Sequence, residues 1–334
     1  MKRASKLALI AACASAAFLG AGVANASLNV FQTYSGSVGL STSGCGSVSQ
    51  SCDLTANVPA GSTIVAAYLY SSMFSTAPAG GAFGGSAVSY TPLGVNAGVL
   101  QASRADVTSI VAAAVTPAGG AFNFNVTETN GAQDGEALVV VYSNGSLATS
   151  TIGILDGFSA STGDNSSITF ASPLHPGAPG FQAEMRIGDG FSCDSNCSDG
   201  AQVSQIDVNG LRMTNVAGDN DDSIDGSNAE NGNLITVGGD NDPFTVAAPG
   251  SPQNVYQNDH ERYDLTPFIN DGDTAIHIHT LNPSNDDNIF LETFLVTGQA
   301  VVSSGTPEPA TWAMMILGFF GLGSMVRRKS VATA

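Results

Sequence analysis

The sequence predicts an all-β protein, and three observations lead to this fold class. Charged residues are only 11% of the 334 residues, and much of the polar content is Ser, Thr, Asn and Gly. That mixture favours short strands joined by turns. Several short segments alternate apolar and polar residues with the period of a strand, and long helical periods are few. We therefore predict two tandem, jelly-roll-like β-sandwiches, with a single larger sandwich as the alternative.

The first half contains the clearest strand patterns. Residues 62–74 combine β-branched and aromatic residues with no turn former inside, and residues 122–127 alternate apolar and polar side chains. Residues 136–142 read EALVVVY, the pattern of a strand buried on both faces. A first strand is predicted over 29–40. Residues 106–114 are the one candidate helix, with Asp106 or Thr108 as its cap.

The second half repeats this order of features. The segment RADVTSIV that starts at Arg104 matches the segment RYDLTPFI that starts at Arg262. Each is followed by a turn, a period-two strand, an acidic turn and a buried strand. Each half also has a cysteine pair before a strand, at 64–70 and at 203–208. We interpret this order as a duplication and predict one sandwich at 27–149 and another at 150–302, both of ordinary domain size.

The N-terminus has the three parts of a secretory signal peptide. Basic residues precede an apolar, Ala-rich run at 7–23, and Ala24-Asn25-Ala26 is a small-x-small cleavage site. We predict that residues 1–26 are removed by signal peptidase, so that the mature chain begins at Ser27. An uncleaved membrane anchor is the alternative.

The C-terminal segment, residues 303–334, predicts a transmembrane helix. Its uncharged, largely apolar run at 310–326 would span roughly 25 Å as a helix, which is at the short end of what crosses a bilayer. Trp312 lies at one end of the run, where an indole favours the headgroup level. Arg327 and Arg328 lie at the other end and should stay cytoplasmic. The helix would hold the chain in a membrane with nearly all of it outside.

This tail resembles the PEP-CTERM sorting signal in its PEPxxWA variant. The tripeptide, the apolar run and the basic end fall in register at Pro307, Glu308, Pro309, Trp312, Ala313, Gly318, Arg327 and Arg328. The resemblance implies an exosortase substrate of a Gram-negative bacterium. In that family the membrane enzyme exosortase is taken to cut near the tripeptide and pass the protein to the cell surface or extracellular matrix. The basic end here continues into Ser-Val-Ala-Thr-Ala, and a plain anchor helix that nothing processes is the alternative.

Composition restricts the partners of the body between these two ends. Of the 10 basic and 28 acidic residues in the chain, six basic and one acidic lie in the end segments. The body therefore has 4 basic against 27 acidic residues, a formal charge of −23. Such a body repels phosphates, so we expect neither nucleic acid nor an anionic membrane surface as its partner.

Four cysteines remain after the predicted removal of the signal peptide. They form two close pairs, Cys45 with Cys52 and Cys193 with Cys197. In an exported protein, close pairs of this kind predict disulfides, although cross-pairings are also open. A four-thiol zinc site is the competing interpretation, but neither spacing is CxxC.

An acidic insertion at 218–242 is the densest group of chemically useful side chains. Its aspartates are candidate calcium ligands, because Ca²⁺ prefers several carboxylate and carbonyl oxygens on flexible loops. The ligand candidates are Asp219, Asp221, Asp222, Asp225, Asp240 and Asp242. An EF-hand is excluded because its twelfth position, Gly232, lacks the required carboxylate. A solvated acidic loop without an ion is the alternative.

The sequence contains no recognisable catalytic motif of the hydrolase, metalloprotease or phosphate-loop kinds. His277 and His279 share one face of a predicted strand, which suits either a metal or an exposed strand surface. We therefore expect a non-catalytic surface or matrix protein whose body contacts extracellular polysaccharide or another surface. It would pass through the inner membrane on its way outside. A secreted hydrolase that acts on an extracellular polymer is the alternative.

Overall fold

The computed structural model describes residues 27–46, 51–74, 80–96, 100–129, 133–160, 162–192, 203–217, 234–255, 258–283 and 288–305. This part of the chain consists almost entirely of strands and turns, so the all-β prediction is confirmed. Within it, no helix is both long and apolar enough to cross a bilayer. The predicted signal peptide, the sorting tail and most of the acidic insertion lie outside the described residues.

The first half of the described chain contains strands β1 to β10 and the helix α1. Their bounds are β1 Asn29–Gly36, β2 Val38–Gly46, β3 Ser51–Val58, β4 Thr63–Phe74, β5 Gly81–Phe83, β6 Ser86–Val88, β7 Thr91–Asn96, β8 Leu100–Asp106, α1 Thr108–Ala114, β9 Gly120–Glu128 and β10 Gln133–Ser143. The helix lies within the predicted range of 106–114. At its start, a carboxylate oxygen of Asp106 accepts a hydrogen bond of 2.9 Å from the Thr108 amide.

The second half contains strands β11 to β20 and one 3₁₀ helix at Thr266–Phe268. The strand bounds are β11 Ser150–Asp156, β12 Asp164–Phe170, β13 Ala183–Ser192, β14 Gln205–Val208, β15 Leu211–Thr214, β16 Leu234–Val237, β17 Arg262–Asp264, β18 Ala275–Leu281, β19 Asn288–Thr297 and β20 Ala300–Ser304. The 3₁₀ helix follows β17 as α1 follows β8.

The strands form four antiparallel sheets, two built from each half, except that β1 of the first half joins a sheet of the second. In the first half, the order β3-β9-β5-β6 makes a first outer sheet and β2-β10-β4-β8-β7 a first inner sheet. In the second half, β1-β11-β19-β13-β16 makes a second inner sheet, in which β17 also pairs with β13. The order β15-β14-β18-β12-β20 makes a second outer sheet.

Three hydrophobic cores separate the four sheets and set their order. One core lies between the first outer and first inner sheets, one between the two inner sheets, and one between the second inner and second outer sheets. Both inner sheets are therefore covered on both faces. This explains the strand predicted at 136–142: Leu138 and Val140 face one core, whereas Val139 and Val141 face the next.

The two halves have matching topology, which supports the duplication. The order β2-β10-β4 corresponds to β11-β19-β13, and β3-β9-β5-β6 corresponds to β12-β18-β14-β15. One detail of the sequence comparison is wrong. The segment 64–70 lies in β4, whose counterpart is β13, whereas the segment 203–208 leads into β14, the counterpart of β5. The position of a strand after a cysteine pair therefore did not identify the corresponding strands of the two halves.

The first strand connects the two halves. Residues 29–40, predicted as one strand, form parts of β1 and β2, which break at Gly36 and Ser37. Gly36 has a φ of +135°, which favours glycine, and this turn sends β1 into the second inner sheet, where it pairs with β11. The boundaries proposed at 27–149 and 150–302 stay a prediction, and the two halves share the core between the inner sheets.

Candidate functional site: a polar groove on an acidic body

Most of the predicted site residues lie outside the described part of the chain. These are the sorting residues Pro307, Glu308, Pro309, Trp312, Ala313, Gly318, Arg327 and Arg328, the cleavage-site residues Ala24 and Ala26, Cys193 and Cys197, and Asp219, Asp221, Asp222 and Asp225. Their roles stay predictions. The structure does describe Cys45, Cys52, Asp240 and Asp242.

The predicted disulfide between Cys45 and Cys52 is confirmed. It joins the end of β2 in the first inner sheet to the start of β3 in the first outer sheet, with the two Cα atoms 6.3 Å apart. Both cysteines are buried, and a carboxyl oxygen of Glu136 lies 3.1 Å from the Cys52 sulfur. Because these two sulfurs are bonded to each other, they cannot act as thiolate ligands of a four-thiol zinc site.

Asp240 lies in a buried network that joins the two halves. Its carboxylate accepts hydrogen bonds from Ser41 and Asn57 of the first half and from Arg186 of the second. Arg186 also donates to the Thr42 hydroxyl, at 2.6 Å. The lone pairs of Asp240 are thus occupied by protein donors rather than turned towards other acidic side chains.

Asp242 lies beside this network. Its carboxylate accepts a hydrogen bond from the Gly239 amide, and its backbone carbonyl accepts one of 2.9 Å from Arg262. The other four aspartates of the proposed calcium site lie outside the described residues. Calcium binding by the acidic insertion therefore stays a prediction.

All four basic side chains of residues 27–305 are held in ion pairs. The pairs are Arg104 with Asp156, Arg186 with Glu184 and Asp240, Arg212 with Asp207, and Arg262 with Glu184. The matched residues Arg104 and Arg262 also lie over phenylalanine rings, at 3.3 Å from the Phe31 centroid and 4.4 Å from the Phe244 centroid. The exterior of the body therefore has a large excess of carboxylates and no unpaired arginine or lysine.

A groove of about 670 Å³ opens where β1, β2, β4 and β10 meet. Hydroxyl side chains, one amide, glycines and two valines line it, and none of the lining residues carries a charge: Thr33, Tyr34, Ser35, Gly36, Ser37, Val38, Gly61, Thr63, Val65, Ser143, Asn144 and Gly145. The hydroxyls of Tyr34 and Tyr68 share a hydrogen bond of 2.7 Å. Burial and this hydrogen bond raise the pKa of Tyr34, so its hydroxyl stays neutral.

A second pocket, of about 430 Å³, lies in the second half between β12, β19 and the connection that follows β12. Its lining is mainly apolar and includes Phe170, Leu174 and Phe181. At its edge His175 hydrogen-bonds Asp271 at 2.7 Å, and both side chains are exposed. We assign no chemistry to this pocket.

The histidines of β18 occupy the outward face of the second outer sheet. Ile276 and Ile278 are buried, whereas His277 is exposed and His279 is half-buried, as the alternation predicts. The His279 ring nitrogen Nδ1 lies 3.1 Å from the Asp164 carbonyl oxygen. Within the described residues, the one close group of three metal-ligating side chains contains the bonded cysteines and Glu136, not these histidines.

Buried carboxyl groups are the polar feature that the sequence interpretation missed. Glu128, Asp134, Glu136, Asp259 and Glu292 are all buried, and desolvation raises the pKa of each. The pKa of Asp134 rises to about 7 and that of Glu292 to about 8. The burial of Glu136 could have been predicted from the period-two pattern of β10, because Glu136 is on the same face as the buried Leu138 and Val140.

No protein-family model, curated protein or solved structure matches this chain.

Proposed function

We propose that this chain is an exported, exosortase-sorted protein of the cell surface or extracellular matrix, with a non-catalytic structural or adhesive body. The observation that carries the proposal is that all four arginines of the body are held in ion pairs. The polar side chains that remain on the exterior are mainly carboxylates, hydroxyls and amides. Such a surface suits a hydrated polymer matrix and disfavours nucleic acid and anionic lipid.

The strand order supports a body of two tandem jelly-roll-like sandwiches. The orders β2-β10-β4-β8 and β3-β9-β5-β6 place the strands as the two facing sheets of an eight-stranded jelly roll do. The corresponding strands of the second half follow the same plan, with β17 in the position of β8. The central packing of the two inner sheets would make the pair a rigid spacer that presents its outer sheets to the surroundings.

We propose that the uncharged groove contacts a neutral extracellular polysaccharide. Its hydroxyl side chains can donate hydrogen bonds to sugar hydroxyls and accept hydrogen bonds from them. A neutral polymer is favoured because the net negative charge around the groove would repel acidic sugars at low ionic strength. The groove contains no carboxylate, so it has no candidate general acid for glycoside cleavage.

The two ends of the chain support the export route. The signal-peptide pattern at 1–26 and the PEP-CTERM resemblance at 306–334 together imply passage through the inner membrane, with signal peptidase and exosortase as processing partners. The disulfide between Cys45 and Cys52 agrees with an oxidising destination.

The polysaccharide proposal is tested by placing a charged, bulky side chain in the groove. We expect Val65→Arg to weaken the binding of the purified full chain to a neutral polysaccharide at least tenfold in affinity electrophoresis. Val301→Arg is the matched control, because Val301 is also exposed and lies in β20, away from the groove. Equal binding by both variants would contradict the groove assignment, and release of sugar by the wild-type protein would favour the secreted hydrolase.

The sorting proposal is tested by the mass of the protein recovered from a host that contains exosortase. We expect loss of residues 1–26 and a shortened or modified C-terminus. A variant with Pro307→Ala and Pro309→Ala should keep its tail and remain in the membrane fraction. Intact protein in the cytosol, with Cys45 and Cys52 reduced, would refute the export route.

A further inference from the structure

Ser27, the first residue that the structure describes, is held by several contacts. Its hydroxyl donates a hydrogen bond of 2.7 Å to the Asp164 carboxylate, and its carbonyl accepts one of 2.8 Å from the Asn29 side chain. Leu28 is only 2% exposed and packs in the core between the second inner and second outer sheets. Gly157 lies against the Ser27 carbonyl oxygen, which would be 2.3 Å from a Cβ at that position. Ser27 therefore has a defined position just before β1.

Asp164, at the start of β12, is the acidic group that meets this part of the chain. The Ala160 amide donates a hydrogen bond of 2.7 Å to its second carboxylate oxygen, and the backbone of Leu28 also hydrogen-bonds this carboxyl. The side chain belongs to a half-buried residue. Burial raises the pKa of Asp164, although the hydrogen bonds from Ser27, Ala160 and Leu28 act to lower it. The charge of this carboxylate is thus only partly compensated by its neutral donors.

The surroundings of Asp164 are acidic. Glu292 is buried nearby, and burial together with the charge of Asp164 raises the pKa of Glu292 to about 8. Asp156, on the neighbouring strand β11, is already paired with Arg104, and the other three arginines of the body are in ion pairs elsewhere. His279 is the basic side chain whose charge acts on Asp164. A further cation at this place would therefore be favourable.

We propose that Asp164 binds the α-ammonium group of the mature chain, which rests on the proposed removal of residues 1–26. When signal peptidase adds water across the bond between Ala26 and Ser27, Ala26 gains a carboxylate and the Ser27 nitrogen becomes a primary ammonium. The nitrogen and Oγ of one serine are joined through two carbon atoms, so the ammonium would lie within about 4 Å of that Oγ. The Oγ atom itself is 2.7 Å from the carboxylate of Asp164. Opposite charges at such a separation favour the charged form of both groups.

This ion pair links the stability of the fold to removal of the signal peptide. The uncleaved chain has a neutral amide at the Ser27 nitrogen, so it lacks the pair and should be less stable than the mature chain. The ordinary pKa of an α-amino group is about 7.7–8.0, and contact with Asp164 raises it in the folded state. The added stability is therefore fully present below that range and is lost as the pH rises through the folded-state pKa.

The experiment compares two chains, residues 27–334 and residues 24–334, each released from a fusion partner by a protease that leaves no extra residue. The longer chain is the matched control, because it has the same net charge but carries its ammonium three residues away from Ser27. At pH 7 we expect the chain that begins at Ser27 to melt about 2–3 °C higher in the same detergent. With Asp164→Asn in both chains, this difference should disappear.

A second measurement keeps the test decisive if Asp164→Asn does not fold. At pH 10 the α-amino group is neutral, so the two wild-type chains should melt alike, and His279 and Glu292 cancel in the comparison because both chains contain them. Equal melting at pH 7, or a difference that persists at pH 10, would overturn the proposal. The mass of the exported protein separates the two failures. If it begins at Ser27 and the chains melt alike, only this inference fails, whereas another first residue refutes the proposed cleavage as well.

Discussion

Replacing Arg186 with methionine should destabilise the protein more than any other single loss of charge in the body. Arg186 lies in β13 and is only 4% exposed. It pairs with Glu184 and Asp240 and donates to Thr42, so it joins the second inner sheet to the first. Methionine keeps a long apolar side chain but removes the charge and all five donors.

The expected loss in the free energy of unfolding follows from the carboxylate that would stay buried without its partner. Removing one partner of a buried ion pair typically costs about 3–5 kcal/mol, because the other charge stays buried and uncompensated. Glu184 would keep Arg262, whose guanidinium lies 3.0 Å away, so Asp240 is the group that loses its counter-charge. We therefore expect about 3 kcal/mol, which corresponds to a fall of roughly 6–12 °C in melting temperature for a chain of this size.

Arg212→Met is the matched control. Arg212 also pairs with an aspartate, Asp207, but their side chains are 31% and 23% exposed. A pair with this much solvent access should contribute at most about 1 kcal/mol. Urea unfolding followed by circular dichroism measures both variants, and the slope of the transition shows whether the unfolding remains two-state.

The explanation also predicts a partial rescue. Adding Asp240→Asn to Arg186→Met removes the orphaned carboxylate, so the double variant should be more stable than Arg186→Met alone. If Arg186→Met costs no more than Arg212→Met, or if Asp240→Asn worsens it additively, the buried network does not stabilise the junction as we argue.

Three further outcomes are expected. Cys52→Ala should cost about 2 kcal/mol, since the disulfide with Cys45 closes a loop of sequence separation 7, and non-reducing peptide mapping would verify the bond in the wild type. Burial raises the pKa of Glu292 from 4.5 to about 8, so the folded state holds a proton that the unfolded state releases between these values. Stability should therefore fall as the pH rises through this window, and Glu292→Gln should flatten that fall in thermal melts at pH 5 to 8. Gly135→Ala should cost more than about 2 kcal/mol in urea unfolding, since the new Cβ would overlap the Cys45 carbonyl and Ile235.

The local patterns predicted the strands well, because the pattern of apolar residues shows which faces of a strand are buried. The run at 136–142 predicted a strand covered on both sides, and β10 is central to a sheet that has a core on each face. The alternation at 122–127 likewise matches β9, in which Phe124 and Val126 are buried and the residues between are not. Helix α1 was also predicted, from a short apolar run, but its predicted cap was wrong: the N-cap residue is Val107, which makes no side-chain capping hydrogen bond, and neither Asp106 nor Thr108 takes that position.

The pairing of strands could not be predicted in the same way. Alternation shows which side chains face inward, but it does not identify the neighbouring strand. The break at Gly36 and Ser37 sends β1 across to β11, a partner more than a hundred residues away, and no local pattern in 29–40 signals that crossing. The match of 203–208 with 64–70 failed for the same reason, since both segments are strands but occupy different sheets.

The candidate sites could be predicted from the sequence even less well than the strand pairing. The groove is formed by parts of four strands, and its hydroxyl side chains are ordinary residues in a Ser- and Thr-rich chain. The contact between Ser41 and Asp240 spans 199 positions. Glu128 and Glu136 could have been placed inside by their alternation with apolar neighbours, but only the packing of the two sheets brings their carboxyl groups together.

The placement of the four arginines connects the fold to the proposed role. Arg104 reaches across to Asp156 of the second half, and Arg186 donates to Thr42 of the first. Two of the chain's scarce cations thus hold the two halves together, and a third, Arg262, supports them by binding the backbone carbonyls of Asp240 and Asp242. The remaining carboxylates of the body repel one another, and the ion pairs at the junction of the two halves oppose that repulsion. The two halves also share the core between the inner sheets, so weakening the ion pairs at the junction should make the stability of the body more dependent on salt rather than separate the halves.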